Sequence, residues 1–316
     1  MNAPALSILM PVHNGALYLE EALASLAAQS FADFELVVVD NASTDATPRL
    51  LARWAEREPR LRTLRLERNR LSASLNQAAR LARAPILARL DADDVARADR
   101  LERQMAALAE QPALGLLGSS ATLIDGAGRH LGEVRPPRGD RDIRQRHRTS
   151  CGIIPSSSIM RAEVFWAAGG YREGLNISED FDLWLRMGER CSFANLPEPL
   201  ISYRIHTASV TARQPVRMAL ASFCVSAAAE ARRTGQAEPF CEGRPRLRAA
   251  LPLLGLSRKE ARKIVRYRSL SNMVSRRLLG LPLPPFLRAL SPKLVTRLRL
   301  RPLYQAWLRR GLERGP

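Results

Sequence analysis

The 316 residues are 46% hydrophobic but only 5% aromatic, enough for one large α/β domain plus an appendage, cored by Leu, Ala, Val and Ile. The net charge of +18 invites a nucleic-acid reading, but residues 1–214 hold 27 Arg/Lys against 26 Asp/Glu and residues 215–316 hold 22 against 5. The front of the chain is therefore an ordinary balanced domain, and no nucleic acid is expected as a partner.

Leu6 to Val12 is a short apolar run that reads as a buried strand, and Leu17, Leu19, Ala22, Leu23 and Leu26 follow at helical spacing. Phe34 to Val39 is a second strand ending at Asp40, and Asp45 to Arg57 reads as a helix with Pro48 near its start. Leu61 to Leu66 is a third strand, Leu71 to Ala82 a helical face, and Pro85 to Leu90 a fourth strand running into Asp91-Ala92-Asp93-Asp94. A polar helix follows from Asp99 to Glu110. This alternation predicts parallel strands with right-handed crossovers. Ligands of such sheets bind beyond the carboxyl ends of the strands, where Asn14, Asp40 and the Asp91–Asp94 cluster fall.

After Leu114 the pattern is more mixed. Leu114 to Ile124 is a strand, residues 125–128 are a turn, and a second strand follows. Pro136 to Arg148 reads as a basic loop. Ile153 to Met160, Phe193 to Leu196 and Leu200 to Ile205 read as short strands with helices between. From Pro215 the chain is helical, Arg-rich and interrupted by prolines.

Carboxylates at the end of a buried strand face a cleft. Their mutual repulsion raises their pKa values unless a cation is present. Mg²⁺ or Mn²⁺ accepts one or two carboxylates plus phosphate oxygens, and a diphosphate leaving group needs that charge compensation. Asp93 and Asp94 are candidates to hold such an ion, and Asp91 to reach a ribose or the ion. The competing reading is a solvated loop or a helix N-terminus, where acids are favoured.

Several segments recur in a characteristic order: Pro11-Val12-His13-Asn14, Asp40 to Asp45, Asn69 to Asn76, Leu90 to Asp94, Ser178-Glu179-Asp180 and Tyr203-Arg204-Ile205-His206. In this the sequence resembles the inverting glycosyltransferases of family 2, over roughly Ser7 to Thr211. The resemblance implies a GT-A fold, a Rossmann-like, mostly parallel mixed sheet flanked by helices, spanning 1–214. Within it, 1–112 would bind the nucleotide-sugar and 113–214 the acceptor, and 215–316 would be an Arg-rich helical extension.

The resemblance further implies that Pro11, Val12 and Asn14 line the base pocket and that Asp40 contacts the base. A carboxylate accepts the imide N–H of uracil, so a UDP-sugar is the expected donor. Asp45 serves that loop or caps the next helix. Relatives often carry a glycine shortly after Asn69, where this chain has Arg70-Leu71; Arg70 would face the diphosphate. Glu179-Asp180 matches the pair holding the catalytic base, Asp180 first and Glu179 second. That base takes the acceptor hydroxyl proton during attack on the anomeric carbon. Without the resemblance, Ser178 as N-cap and acids in the first helical turn explain the same residues. His206 matches a histidine near the metal or diphosphate, against the commoner structural role. Trp184 fits core packing better than sugar stacking. The cofactor implied is Mn²⁺ or Mg²⁺.

Many family members act on lipid-linked acceptors. Ala261, Ile264, Val265, Tyr267, Met273 and Val274 recur near helical spacing among Arg and Lys within Ser257–Leu279, and Leu294–Leu312 is also basic. This pattern fits an amphipathic helix on an anionic membrane surface, and equally arginines on packed helices. The four cysteines form no Cys-x-x-Cys pair, no secretory signal is visible, and no apolar run reaches the ~18 residues of a membrane span. A cytoplasmic protein, peripheral on the membrane through its basic tail, is expected. Two other enzyme classes fit less well. A nucleotidyltransferase usually has an early Gly-rich, Lys-containing loop, which Leu9 to Asn14 lacks, and no Gly-x-Gly-x-x-Gly follows the first strand as a dehydrogenase requires.

Overall fold

Leu6–Val12 forms β1, and every one of its seven residues is buried. The computed structural model describes residues 3–148, 150–206, 209 and 214–262. They fall in two compact units, one of residues 1–146 with 151–204 and one of residues 147–150 with 205–316.

In the first unit, β1 lies between β2 (Phe34–Asn41) and β4 (Ile86–Arg89), with β3 (Leu61–Leu66) outside β2, all parallel. Burial on both faces explains why β1 and β2 are near-continuous apolar runs. Ile8, Met10, Leu36 and Val38 point to one face, against Leu23 and Leu26 of α1 (Leu19–Ala27), Leu51 and Trp54 of α2 (Thr47–Arg57) and Leu101 of α4 (Arg100–Glu110). Leu9, Val37 and Val39 point to the other. They meet Leu75 and Ala78 of α3 (Leu71–Leu81) and share a core with Leu183, Trp184 and Met187 of α7 (Glu179–Met187). Each fully buried Leu or Val contributes roughly 1.5–3 kcal/mol.

The rest of the sheet is antiparallel where its pairing is resolved. β8 (Ile159–Arg161) pairs with β4 and with β6 (Leu114–Asp125), β7 (His130–Val134) pairs with β6, and β5 (Val95–Ala96) pairs with β9 (Ser192–Ile205). The order is β3-β2-β1-β4-β8-β6-β9-β5. β4 is thus where the parallel half meets the antiparallel half.

Three elements differ from the sequence expectation. Residues 140–147 form α5 (Asp140–His147) rather than a loop; Arg144 pairs with Asp140 one turn back at 2.6 Å, and Ile143 is buried. The strand expected over Ile153–Met160 is shortened by the 3₁₀ turn η1 (Pro155–Ser157), since proline has no ladder N–H to give. The two strands expected after Phe193 are one, because Pro197 and Pro199 tolerate extended backbone. Between β8 and α7 lies α6 (Ala162–Ala167).

In the second unit α8 (Pro215–Arg233) packs Phe223, Ala227 and Cys224 with Leu247 and Ala250 of α9 (Leu247–Leu253), beside the short β10 (Phe240–Cys241) and β11 (Arg244–Pro245). Most of Ser257–Leu279 and all of Leu294–Leu312 lie outside the described residues. No described helix is long and apolar enough to cross a membrane.

Candidate active site

The ends of β1 and β2 are tied into one loop system. Asn14 takes a left-handed backbone (φ 51°), tolerable for Asn because its short side chain finds local partners. Its Oδ1 accepts the Thr44 N–H at 2.8 Å, and its own N–H donates to Ser43 Oγ at 2.9 Å. Asp45 ties the β1 loop to the start of α2, whose N-cap is Ala46: Oδ2 accepts the Ala16 N–H at 3.1 Å, and Oδ1 accepts the N–H of Thr47 at 3.0 Å. Asn41 holds the third loop, accepting the Arg70 N–H at 2.8 Å and donating to Asn69 Oδ1 at 2.9 Å. The Arg70 side chain is left exposed.

Asp40 is placed differently from its expected role. Only 2% of it is exposed. Oδ1 accepts the Ser43 N–H at 2.9 Å and Oδ2 accepts from Arg65 Nη1 at 2.7 Å, while Arg65 Nη2 donates to the Ser43 carbonyl. Both carboxylate oxygens are therefore engaged within the loop. Pro11 and Val12 are buried too, so the exposed groups at the end of β1 are Asn14 and His13, whose Nδ1 lies 2.9 Å from the Asn41 main-chain oxygen. His13 is part of the Pro-Val-His-Asn motif, and its place in that motif is the sequence signal for it.

The acidic cluster forms a turn just past β4, with the Asp94 N–H donating to the Asp91 carbonyl at 3.1 Å. Asp91 and Asp93 are partly exposed. Asp94 is 1% exposed; its Oδ1 accepts the Arg204 N–H at 2.7 Å and its Oδ2 has no partner. Burial first, then the charges of Asp93 and Asp91, push the Asp94 carboxyl well above the usual carboxylate range. Three buried arginines surround this turn. Arg204, stacked on Tyr18, donates to the Asp93 carbonyl at 2.8 Å and pairs with Glu21 at 2.5 Å. Arg100 donates to the Arg89 carbonyl at 2.9 Å and to Gln104. Arg89 clasps Asp91 with Nε (2.8 Å) and Nη2 (3.3 Å).

Arg89 also reaches the second acid pair, Nη1 donating to Glu179 Oε1 at 3.2 Å. Glu179 is 5% exposed, while Asp180 is half-buried. Burial first, then the neighbouring Asp180 charge, raise Glu179 from its ordinary 4.5 to about 7, against the opposing pull of Arg89. Burial likewise raises Asp180. Ser178 stands at the N-cap of α7, but with a left-handed φ of 61° and no side-chain capping bond. Asp180 Oδ1 instead accepts the Phe181 N–H at 2.7 Å. A non-Gly left-handed residue ahead of a buried and a half-buried acid is strain of the kind found at functional sites. Asp182 is not part of this pair; it anchors Arg186 and Arg172. Trp184 is fully buried, as core packing predicts.

Asn76 fixes the wall beside this pair. It donates to the Tyr171 carbonyl at 2.8 Å and accepts the Tyr171 N–H at 2.9 Å. It thereby pins Gly169-Gly170-Tyr171, whose glycines have φ of 83° and 63°. The Tyr171 ring is buried, 5.9 Å from the Arg89 guanidinium carbon.

Acids at the β4 end and acids opening α7 thus share one buried arginine. The glycosyl transferase family 2 model matches residues 7–169, just over half the chain. The chain belongs to that family. Among its relatives is the O-antigen biosynthesis glycosyltransferase WbnJ of Escherichia coli, 31% identical over 65% of this chain and 81% of the relative. Among solved structures, Staphylococcus aureus TarS 1–349 in complex with UDP-GlcNAc covers 98% of this chain and 90% of its own, with a TM-score of 0.61 at 18% identity. The mannosyltransferase PcManGT of Pyrobaculum calidifontis, in complex with GDP-Man and Mn²⁺, covers 99% and 88%, with a TM-score of 0.57 at 20% identity. These two likenesses show the GT-A fold of this glycosyltransferase.

Among the described residues no three His, Cys, Asp or Glu side chains converge as a metal cage. A cage is not what Mn²⁺ or Mg²⁺ needs when substrate phosphates complete its shell. The turn offers two partly exposed carboxylates, Asp91 and Asp93, with Asp94 behind them, a donor set that fits such an ion. His206 lies in the second unit.

Proposed function

We propose that this glycosyltransferase moves a sugar from a nucleotide-sugar, UDP-linked, to a glycan or lipid-linked acceptor with inversion, in the synthesis of a cell-surface polysaccharide or lipopolysaccharide. The WbnJ name and the UDP-GlcNAc complex of TarS support this reading. The observation that carries it is the placement of two acid groups of unlike character about one buried guanidinium, at the carboxyl ends of parallel strands. Residues 1–112 serve the donor, 113–214 the acceptor, and 215–316 form the basic extension, which also suits a cytoplasmic, membrane-peripheral enzyme.

Asp93 is assigned as cation ligand with Asp91 beside it, on the ion or on the ribose. Asp94 is reassigned from ligand to support, because it is buried and its Oδ1 is engaged by β9. A bound Mn²⁺ or Mg²⁺ would offset the charge that develops on the departing diphosphate. Asn14 and Arg70 face the nucleotide from the loops. Asp40, Pro11 and Val12 shape the base pocket from behind rather than by direct polar contact. Asp180, the more accessible acid, takes the proton of the acceptor hydroxyl. That oxygen bonds to the anomeric carbon from the face opposite the diphosphate, and the breaking C–O bond leaves its electron pair on the diphosphate. Glu179 supports it. A thermal-shift panel of UDP-, GDP- and dTDP-sugars with and without Mn²⁺ tests the reading, since a true donor raises Tm. A flat response to all of them overturns it.

A further inference from the structure

We propose that Arg89 is a positioning residue that couples the donor-side acid turn to the acid pair that activates the acceptor. The proposal rests on the glycosyltransferase reading above. Arg89 sits in β4, where the parallel and antiparallel halves of the sheet join, and its side chain is 4% exposed. A buried guanidinium must find anions and acceptors to offset its lost hydration. It finds them on both sides: the Asp91 carboxylate through Nε and Nη2, and the Glu179 carboxylate through Nη1. The two carboxylates are 88 positions apart in sequence and belong to different elements.

The backbone of Arg89 is held as firmly as its side chain. Its N–H donates to the Ser158 carbonyl at 2.9 Å, and its carbonyl accepts from the buried Arg100 at 2.9 Å. The Asp91 N–H in turn donates to Ser156 Oγ at 3.2 Å. The guanidinium fork is planar and rigid, so its grip on Asp91 fixes the angle at which it meets Glu179. Any shift of Asp91 on donor binding is therefore felt at Glu179, and so at the adjacent Asp180. A lysine ammonium keeps the charge but lacks the fork that spans both carboxylates in this geometry.

The test is a double-variant cycle with Asp91→Asn and Glu179→Gln, first with Arg89 in place and then in an Arg89→Lys background. The reaction followed is release of nucleoside diphosphate from UDP-, GDP- and dTDP-sugars with Mn²⁺, water serving as acceptor, with thermal melts as a check of folding. With Arg89 present, the double variant is expected to lose about tenfold less in kcat/KM than the product of the two single losses, as coupled neighbours do. With Arg89→Lys that discrepancy is expected to vanish. Should Arg89→Lys fail to fold, the cycle with Arg89 intact decides alone. Losses that multiply within about twofold overturn the coupling while leaving the enzyme reading standing. A wild-type chain that neither binds nor cleaves any of these sugars overturns both. A merely structural Arg89 would lower Tm and leave the coupling between the two acids the same with Lys in its place.

Discussion

The two acid groups of the site use the same residue types to opposite effect. Asp91 and Asp93 end a parallel strand on a partly exposed turn, backed by the main-chain contacts of Arg100 and Arg204. Glu179 and Asp180 open a helix under the sheet, where burial raises both. A carboxylate open to solvent on a strand-end turn suits an electrostatic task. A buried one with a like charge beside it holds its proton to higher pH and suits proton transfer. Arg89 touches both groups, so the division of labour is built into a single side chain.

The largest expected effect tests the proton-transfer side. Asp180→Asn should lose about 10²–10⁴-fold in transfer while keeping donor affinity. Near-wild-type turnover would remove Asp180 as the base. Next, Asp93→Ala should abolish the cation-dependent part of donor binding, roughly a hundredfold in Kd, read by titration with and without Mn²⁺. Equal donor affinity in both titrations would place the ion elsewhere.

A third test exploits proton linkage. Glu179 holds its proton more tightly folded than unfolded, so the native state binds more protons between pH 4.5 and about 7. Stability should therefore fall as pH climbs through that window, by about 1.4 kcal/mol per unit of pKa difference. Glu179→Gln should flatten the slope in denaturant melts at pH 5 and pH 7.5. An unchanged slope would mean that Glu179 does not titrate there. The smallest effect is expected at Asn76→Ala, which orphans both Tyr171 backbone groups. It should cost about 1–3 kcal/mol of stability, and with the Gly170 loop loosened, acceptor-side KM should rise before donor affinity changes.

Much of residues 1–112 was legible. The β1–β4 alternation and the strand-end position of Asp91–Asp94 follow from apolar period and turn chemistry. Other features were not. Arg89 interrupts the apolar run Ile86-Leu87-Ala88; a lone charge inside a buried strand was the available signal, but its partner is 90 positions away. Asp40 read as a free base contact because Arg65 has no sequence pattern linking it to Asp40; the two meet only through β2–β3 register. The helix over 140–147 stayed hidden because its polar residues outnumber Ile143, its single buried apolar anchor among them.

Local pattern determined which segments became strands and helices, where the acids fall along them, and that the charge excess belongs to the last third of the chain. Those properties depend on neighbours within a few residues, and side-chain period and turn preference encode them directly. Only the tertiary structure decided which carboxylates are open and which are sealed, and that three arginines lie beneath them. Burial and ion pairing depend on what the sheet brings alongside from far away in the chain, and no local spacing carries that information.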